Sequence, residues 1–151
     1  MARFQIVTAG DPILRKTARP VDEVTDRTRQ ILTNMTETMY HAHGVGLAAP
    51  QVGISRRMIV VDVGDGLMQL INPEIVKKEG LQEGPEGCLS VPGFNGIVIR
   101  ANQVQVKALN EEGQEVTIDA EGFKARALQH EIDHLDGILY TDKASNVERA
   151  E

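Results

Sequence analysis

The stretch His130-Glu131-Ile132-Asp133-His134 carries two imidazoles four residues apart with a carboxylate between them. On a helix, side chains at i and i+4 start roughly 5–6 Å apart, so both histidines can bind one divalent ion. Glu131 then stands beside the ion, placed to take the proton of a water the ion activates. The bland alternative is that two histidines fell on one helix face by chance. Two protein ligands also leave such an ion under-coordinated, so a third must come from elsewhere in the chain.

Three sources for that ligand can be compared. A metzincin extends the motif as HExxHxxGxxH; Gly137 fits, but the last position is Tyr140. A thermolysin-like site takes a glutamate from a later helix, and only Glu148 and Glu151 come after the motif, in a short polar tail. The remaining candidate is Cys88, the one cysteine, in Glu86-Gly87-Cys88-Leu89-Ser90 with Pro85 and Pro92 nearby. On position alone Cys88 serves equally as buried filler or as a ligand. The need for a third ligand favours coordination, and a Cys-His-His set leaves a fourth position for water, the mark of a catalytic site. Blue-copper proteins also use one Cys and two His, but they have no use for a glutamate beside a ligating histidine.

The elements that must position these residues are read from hydrophobic period and turn chemistry. Thr25 to His43 carries Ile31, Leu32, Met35 and Met39 at helical spacing, opens on a Thr25-Asp26 cap signal and stops at Gly44. Met58 to Val63 and Leu67 to Ile71 read as strands, with Asn72-Pro73 breaking the pattern. Gly96 to Ile99, Val104 to Leu109 and Gln114 to Ile118 alternate as strands, and Asn110-Glu111-Glu112-Gly113 reads as a hairpin turn. A last helix runs from about Phe123 to Leu135 with Leu128, Ile132 and Leu135 facing the core and Gly137 just past its end. The expectation is an α+β fold: a small single domain, 1–151, with antiparallel β-sheets packed around the HExxH helix and preceded by an N-terminal helix. Residues 143–151 are expected to form a flexible tail.

Composition narrows the function classes. The 151 residues suit one domain. The net charge of −6 and the lack of a clustered Lys/Arg stripe argue against nucleic-acid binding. No apolar run approaches the ~20 residues of a membrane span, and the first residues lack the apolar core of a signal peptide. The expected home is a reducing cytoplasm. His41 and His43, at i and i+2, point apart and read as surface or capping residues.

A third segment, Gly44-Val45-Gly46-Leu47-Ala48-Ala49-Pro50-Gln51, offers small residues ending in an amide. Together with the two motifs above, in this order along the chain, it resembles the peptide deformylase family: GxGLAAxQ is met by 44–51, EGCLS by 86–90 and QHExDHLxG by 129–137, and no motif position departs. The likeness extends to Asp11-Pro12-Ile13-Leu14 and to the Val91-Pro92-Gly93 and Arg100 region. The resemblance implies a metal-dependent hydrolase that removes the formyl group from the N-terminal formyl-methionine of newly made polypeptides, releasing formate. It implies that Cys88, His130 and His134 hold the metal, commonly Fe2+, with Zn2+, Ni2+ or Co2+ compatible with the same ligands. It assigns proton transfer to Glu131 and oxyanion binding to the Gln51 amide and the Leu89 backbone N–H. It adds substrate pairing as an extended strand near Val45, Gly46 and Gly87, and a transient ribosome contact. A methionine pocket of Val45, Phe123 and Ala127 competes with their being ordinary core. Asp133 is open between orienting a ligating histidine and pairing Arg100. Two other classes compete with this one: a binding-only relative, which retention of Glu131 and Gln51 argues against, and a zinc peptidase, which lacks its usual third ligand.

Overall fold

The computed structural model describes residues 3–149; Glu151, weighed above as a metal ligand, lies outside them, as do the two ends of the expected 1–151 domain. Helix α1, Asp26–His41, is opened by Thr25, whose side chain accepts from the Thr28 N–H while the Thr28 hydroxyl accepts from the Thr25 N–H. Strands β1 (Gly46–Ala48), β2 (Met58–Val61), β3 (Met68–Glu79), β6 (Gln103–Leu109) and β7 (Glu115–Glu121) form one antiparallel sheet in the order β1-β2-β3-β6-β7. Strands β4 (Gln82–Cys88), β5 (Val91–Arg100) and β8 (Ser145–Arg149) form a second, also antiparallel, in the order β4-β5-β8. Helix α2, Gly122–Leu135, carries the HExxH residues.

The β1–β2 end of the larger sheet is covered on both faces, which explains why β2 reads as an unbroken apolar run. Met58 and Val60 join Leu32, Met35 and Met39 of α1, whereas Ile59 and Val61 join Leu128, Ile132 and Leu135 of α2. Helix α2 therefore packs on the sheet through one stripe and turns Arg126, His130 and His134 toward the second sheet, where they meet Gln82, Glu86, Cys88 and Val98. Its end is fixed by Gly137, at φ 75°: the Gly137 N–H donates to His134 O and the Ile138 N–H to Asp133 O, a Schellman stop that fastens the turn holding His134.

The α+β expectation, both helices and the 110–113 hairpin agree with this architecture. Two expectations are corrected. Asn72-Pro73 does not end a strand; it sits in a bulge inside β3, with Asn72 at φ 53° and its side-chain amide bonded to both the N–H and the carbonyl of Val21. The segment expected as a flexible tail contains β8, which takes the free edge of β5 through Phe94, Asn95 and Ile97. Backbone pairing to an open edge needs no apolar side chains, so a polar sequence can supply it.

Candidate active site

Three elements deliver the chemistry to one place. Helix α2 supplies His130, Glu131 and His134, the β4 end supplies Cys88, and the 3-10 turn Ala49–Val52 after β1 supplies Gln51. One ligating atom each from Cys88, His130 and His134 lie within 4.8 Å of one another. Cys88 Sγ is 3.3 Å from His134 Nε2. The His130 ring presents Nδ1 to Glu86 Oε1 at 2.8 Å, which leaves Nε2 for the shared space. This donor set fits a divalent ion: a soft thiolate and two imidazoles with the opposite nitrogen of one ring already engaged.

Glu131 is 4% exposed, and its Oε1 has no hydrogen-bond partner among the described residues. Burial, chiefly, lifts its pKa to about 7, against the favourable charge of His130. Without metal, the histidines move in opposite directions. His130 is buried, which alone would lower its pKa, but Cys88, Glu131 and Glu86 around it raise it to about 10. His134 is lowered by burial and by the positive His130 and Arg100. A metal ion replaces protons in such a cluster, so affinity falls as pH falls.

Gln51, 1% exposed, has its orientation fixed: Oε1 accepts from the Ala48 N–H at 3.0 Å, so Nε2 faces Ser90 Oγ at 3.0 Å and Cys88 Sγ at 3.6 Å. Leu89 lies in the turn between β4 and β5. Gln51, Cys88, Leu89, His130 and Glu131 open onto a cleft of about 390 Å³ whose wall also includes Val45, Gly46, Gly87 and Phe123, whereas His134 is buried and not part of that wall. Val45 and Phe123 are 40% and 55% exposed, which rules out the ordinary-core reading for both; Ala127 lines the same cleft but is buried. His43 stands at the cleft, whereas His41 meets Arg3 on the surface.

Sequence reasoning missed Glu86 and Arg126. Asp133 pairs with Arg100 at 2.7 Å and with Lys143 at 3.1 Å, and the carboxylate that orients His130 is Glu86. Arg100 grips Glu86 through Nε at 2.6 Å and Nη2 at 2.8 Å. Its positive charge and the His130 hydrogen bond overcome the penalty of burial and hold the Glu86 carboxyl well below the usual carboxylate range. The signal available in the sequence was the helical spacing of Arg126, four residues before His130 and so on the same face.

A thiol and two imidazoles converging beside a buried carboxylate, at the base of an open cleft, define a metal-dependent hydrolase. The family model for polypeptide deformylase matches residues 3–150. Peptide deformylase of Carboxydothermus hydrogenoformans is 56% identical over 149 residues, 99% of this chain and 98% of that protein. That of Halothermothrix orenii is 60% identical, covering 97% of each. The crystal structure of peptide deformylase from Thermotoga maritima superposes with a TM-score of 0.94 at 44% identity, covering 97% of this chain and all of that one. The enzyme from Synechococcus elongatus, solved in complex with actinonin, gives 0.93 at 41%, covering 97% and 81%. The chain belongs to the peptide deformylase family. Its activity is the metal-dependent hydrolysis that removes the N-formyl group from nascent peptides.

Proposed function

We propose that Cys88, His130 and His134 hold one divalent ion, that Glu131 moves the proton, and that the Gln51 amide and the Leu89 N–H receive the charge developing on the formyl oxygen. The observation that carries this assignment is the convergence of the three ligating atoms within 4.8 Å beside an unpartnered buried carboxylate. When bound, such an ion lowers the pKa of a water from 15.7 toward ~7 and polarises a carbonyl. Burial raises the Glu131 pKa above the usual carboxylate value in the metal-free protein, which favours a carboxyl that can hold as well as release a proton. Glu131 accepts a proton from the attacking water and returns it to the departing nitrogen, so a neutral amine leaves, and the second water proton is released to solvent as formic acid ionises to formate. The fixed Gln51 amide costs no reorganisation when the oxyanion forms.

The substrate lies in the cleft as an extended strand along Val45, Gly46 and Gly87, and the exposed Val45 and Phe123 with Ala127 receive the methionine side chain. Backbone pairing tolerates any side chain at the substrate positions beyond methionine. Ferrous iron is the proposed native metal on the strength of the family resemblance; the donor set itself suits zinc, nickel and cobalt as well. A cytoplasmic location and transient contact with the ribosome belong to the same reading, because that is where formylated chains emerge. Among the described residues no helix is long and apolar enough to cross a membrane.

The test is formate release from a formyl-methionyl peptide by protein purified without oxygen, with metal content measured and the acetylated peptide as control. Cys88→Ala, His130→Ala and His134→Ala should each lose metal and activity together. An iron-loaded enzyme should lose activity in air as metal or the Cys88 thiolate is oxidised; full activity after aeration would remove iron from the proposal.

A further inference from the structure

Glu86 is buried with all of its hydrogen-bonding capacity engaged. Its Oε1 accepts from His130 Nδ1 and Arg100 Nη2, each at 2.8 Å, and its Oε2 accepts from Arg100 Nε and Arg126 Nη1, each at 2.6 Å. Arg126 is itself tied down: Nε donates to Gln82 Oε1 at 3.2 Å and Nη1 donates to Val98 O at 3.1 Å. It leaves α2 one helical turn before His130, and both side chains point to the second sheet. Arg100 comes from β5, spans both Glu86 oxygens through Nε and Nη2, and gives its remaining Nη1 to Asp133. Arg126 gives Oε2 its second donor and links the carboxylate to the helix that bears the histidines.

We propose that Arg126 is a positioning residue for the metal site: it holds Glu86 so that Oε1 receives the His130 Nδ1–H, which in turn aims His130 Nε2 at the ion. The proposal rests on the assignment of Cys88, His130 and His134 as metal ligands. Partners of this kind, one step removed from the metal, typically change its affinity about 10–100-fold when lost. Without Arg126, Arg100 still spans both Glu86 oxygens, but Oε2 loses its second donor, and the carboxylate can shift toward Arg100 and away from His130 Nδ1.

The experiment is a double-mutant cycle read by zinc affinity, measured by competition with a chelator on folded, purified protein. Arg126→Met should weaken zinc about 10–100-fold, and Arg126→Lys, which keeps a cationic donor for Oε2, should recover most of the loss. In a Glu86→Gln background Arg126→Met should cause no further loss, because the path from Arg126 to the metal runs through Glu86. That double variant also removes the buried charge that Arg126→Met leaves with one guanidinium fewer, so it stays measurable even where Arg126→Met alone folds poorly. In cobalt-loaded protein the visible bands should shift in Arg126→Met, return toward wild type in Arg126→Lys, and not shift further when Arg126→Met is added to Glu86→Gln. Equal zinc affinity in wild type and Arg126→Met, or the same loss from Arg126→Met in both backgrounds, would overturn the relay. Unchanged zinc affinity in Cys88→Ala would overturn the ligand assignment beneath it.

Discussion

Gly46 and Glu131 occupy each other's space: a Cβ built on Gly46 would lie 2.5 Å from Glu131 Oε2 and 2.8 Å from its Cγ. The absence of a side chain at Gly46 is therefore what lets the carboxylate stand in the cleft beside His130 and Cys88. Gly46→Ala should push Glu131 aside without touching Cys88, His130 or His134. We expect metal content to hold while formate release falls by about 10² or more, the scale of a displaced general base. Near-normal turnover in this variant would mean that the position of Glu131 is not critical.

Gln51 makes a different kind of contribution. Its carbonyl is spent on the Ala48 N–H and its amide nitrogen faces Ser90 and Cys88, so the side chain acts as a preset donor rather than a mobile one. Gln51→Ala should lower kcat by about 10²–10³, the usual loss for one oxyanion donor, with metal retained. Loss of metal in proportion to activity would assign Gln51 to the architecture of the Cys88 turn.

The convergence of these residues was legible in the sequence because it depends on short spacings: i and i+4 for the histidines, a single cysteine between glycines and prolines, an amide closing a run of small residues. The helices were legible for a similar reason, as Leu32, Met35 and Met39 repeat at helical period, and Gly137 marks a stop that local turn chemistry demands. What was not legible depends on long-range partners. Asn72 looks like a strand breaker until Val21, 51 residues away in sequence, is seen to bond its side chain and stabilise a bulge. Ser145–Arg149 has the composition of a tail, and only the open edge of β5 makes it a strand. Glu86 faces three cationic groups drawn from β5 and α2, and no spacing within EGCLS encodes them.

Glu86 also ties stability to pH. Its pKa is depressed in the folded protein and close to about 4.3 when unfolded. A depressed carboxylate contributes stability that is fully present above the unfolded value and is lost as pH falls below it, because the unfolded chain then binds the proton more readily. In metal-free protein, denaturant unfolding between pH 7 and pH 3 should show falling stability on the acid side. Glu86→Gln should be less stable at pH 7, yet lose less on going to pH 3. Parallel pH profiles for the two proteins would show that Glu86 is not the group responsible.

The last turn of α2 provides a test that joins fold to site. Gly137 holds φ 75°, a left-handed conformation that costs an L-residue about 1–2 kcal/mol. A Cβ there would also meet Arg15 O at 2.6 Å, backbone that is anchored by the 3-10 turn Pro12–Arg15 and cannot yield cheaply. Gly137→Ala should therefore lower Tm by about 2–8 °C from the backbone strain alone, given roughly 2–4 °C per kcal/mol for a domain of this size, and further through the clash with Arg15. The Gly137 N–H and its neighbour close the turn on His134 O and Asp133 O, so loosening the stop also loosens the ring of His134 relative to Cys88. The expected signature is a joint loss: a lower Tm in the metal-free protein and weaker zinc binding at temperatures where the variant is still folded. A lower Tm with unchanged zinc affinity would show that the Schellman stop serves the fold alone and that His134 is held by its burial against the second sheet.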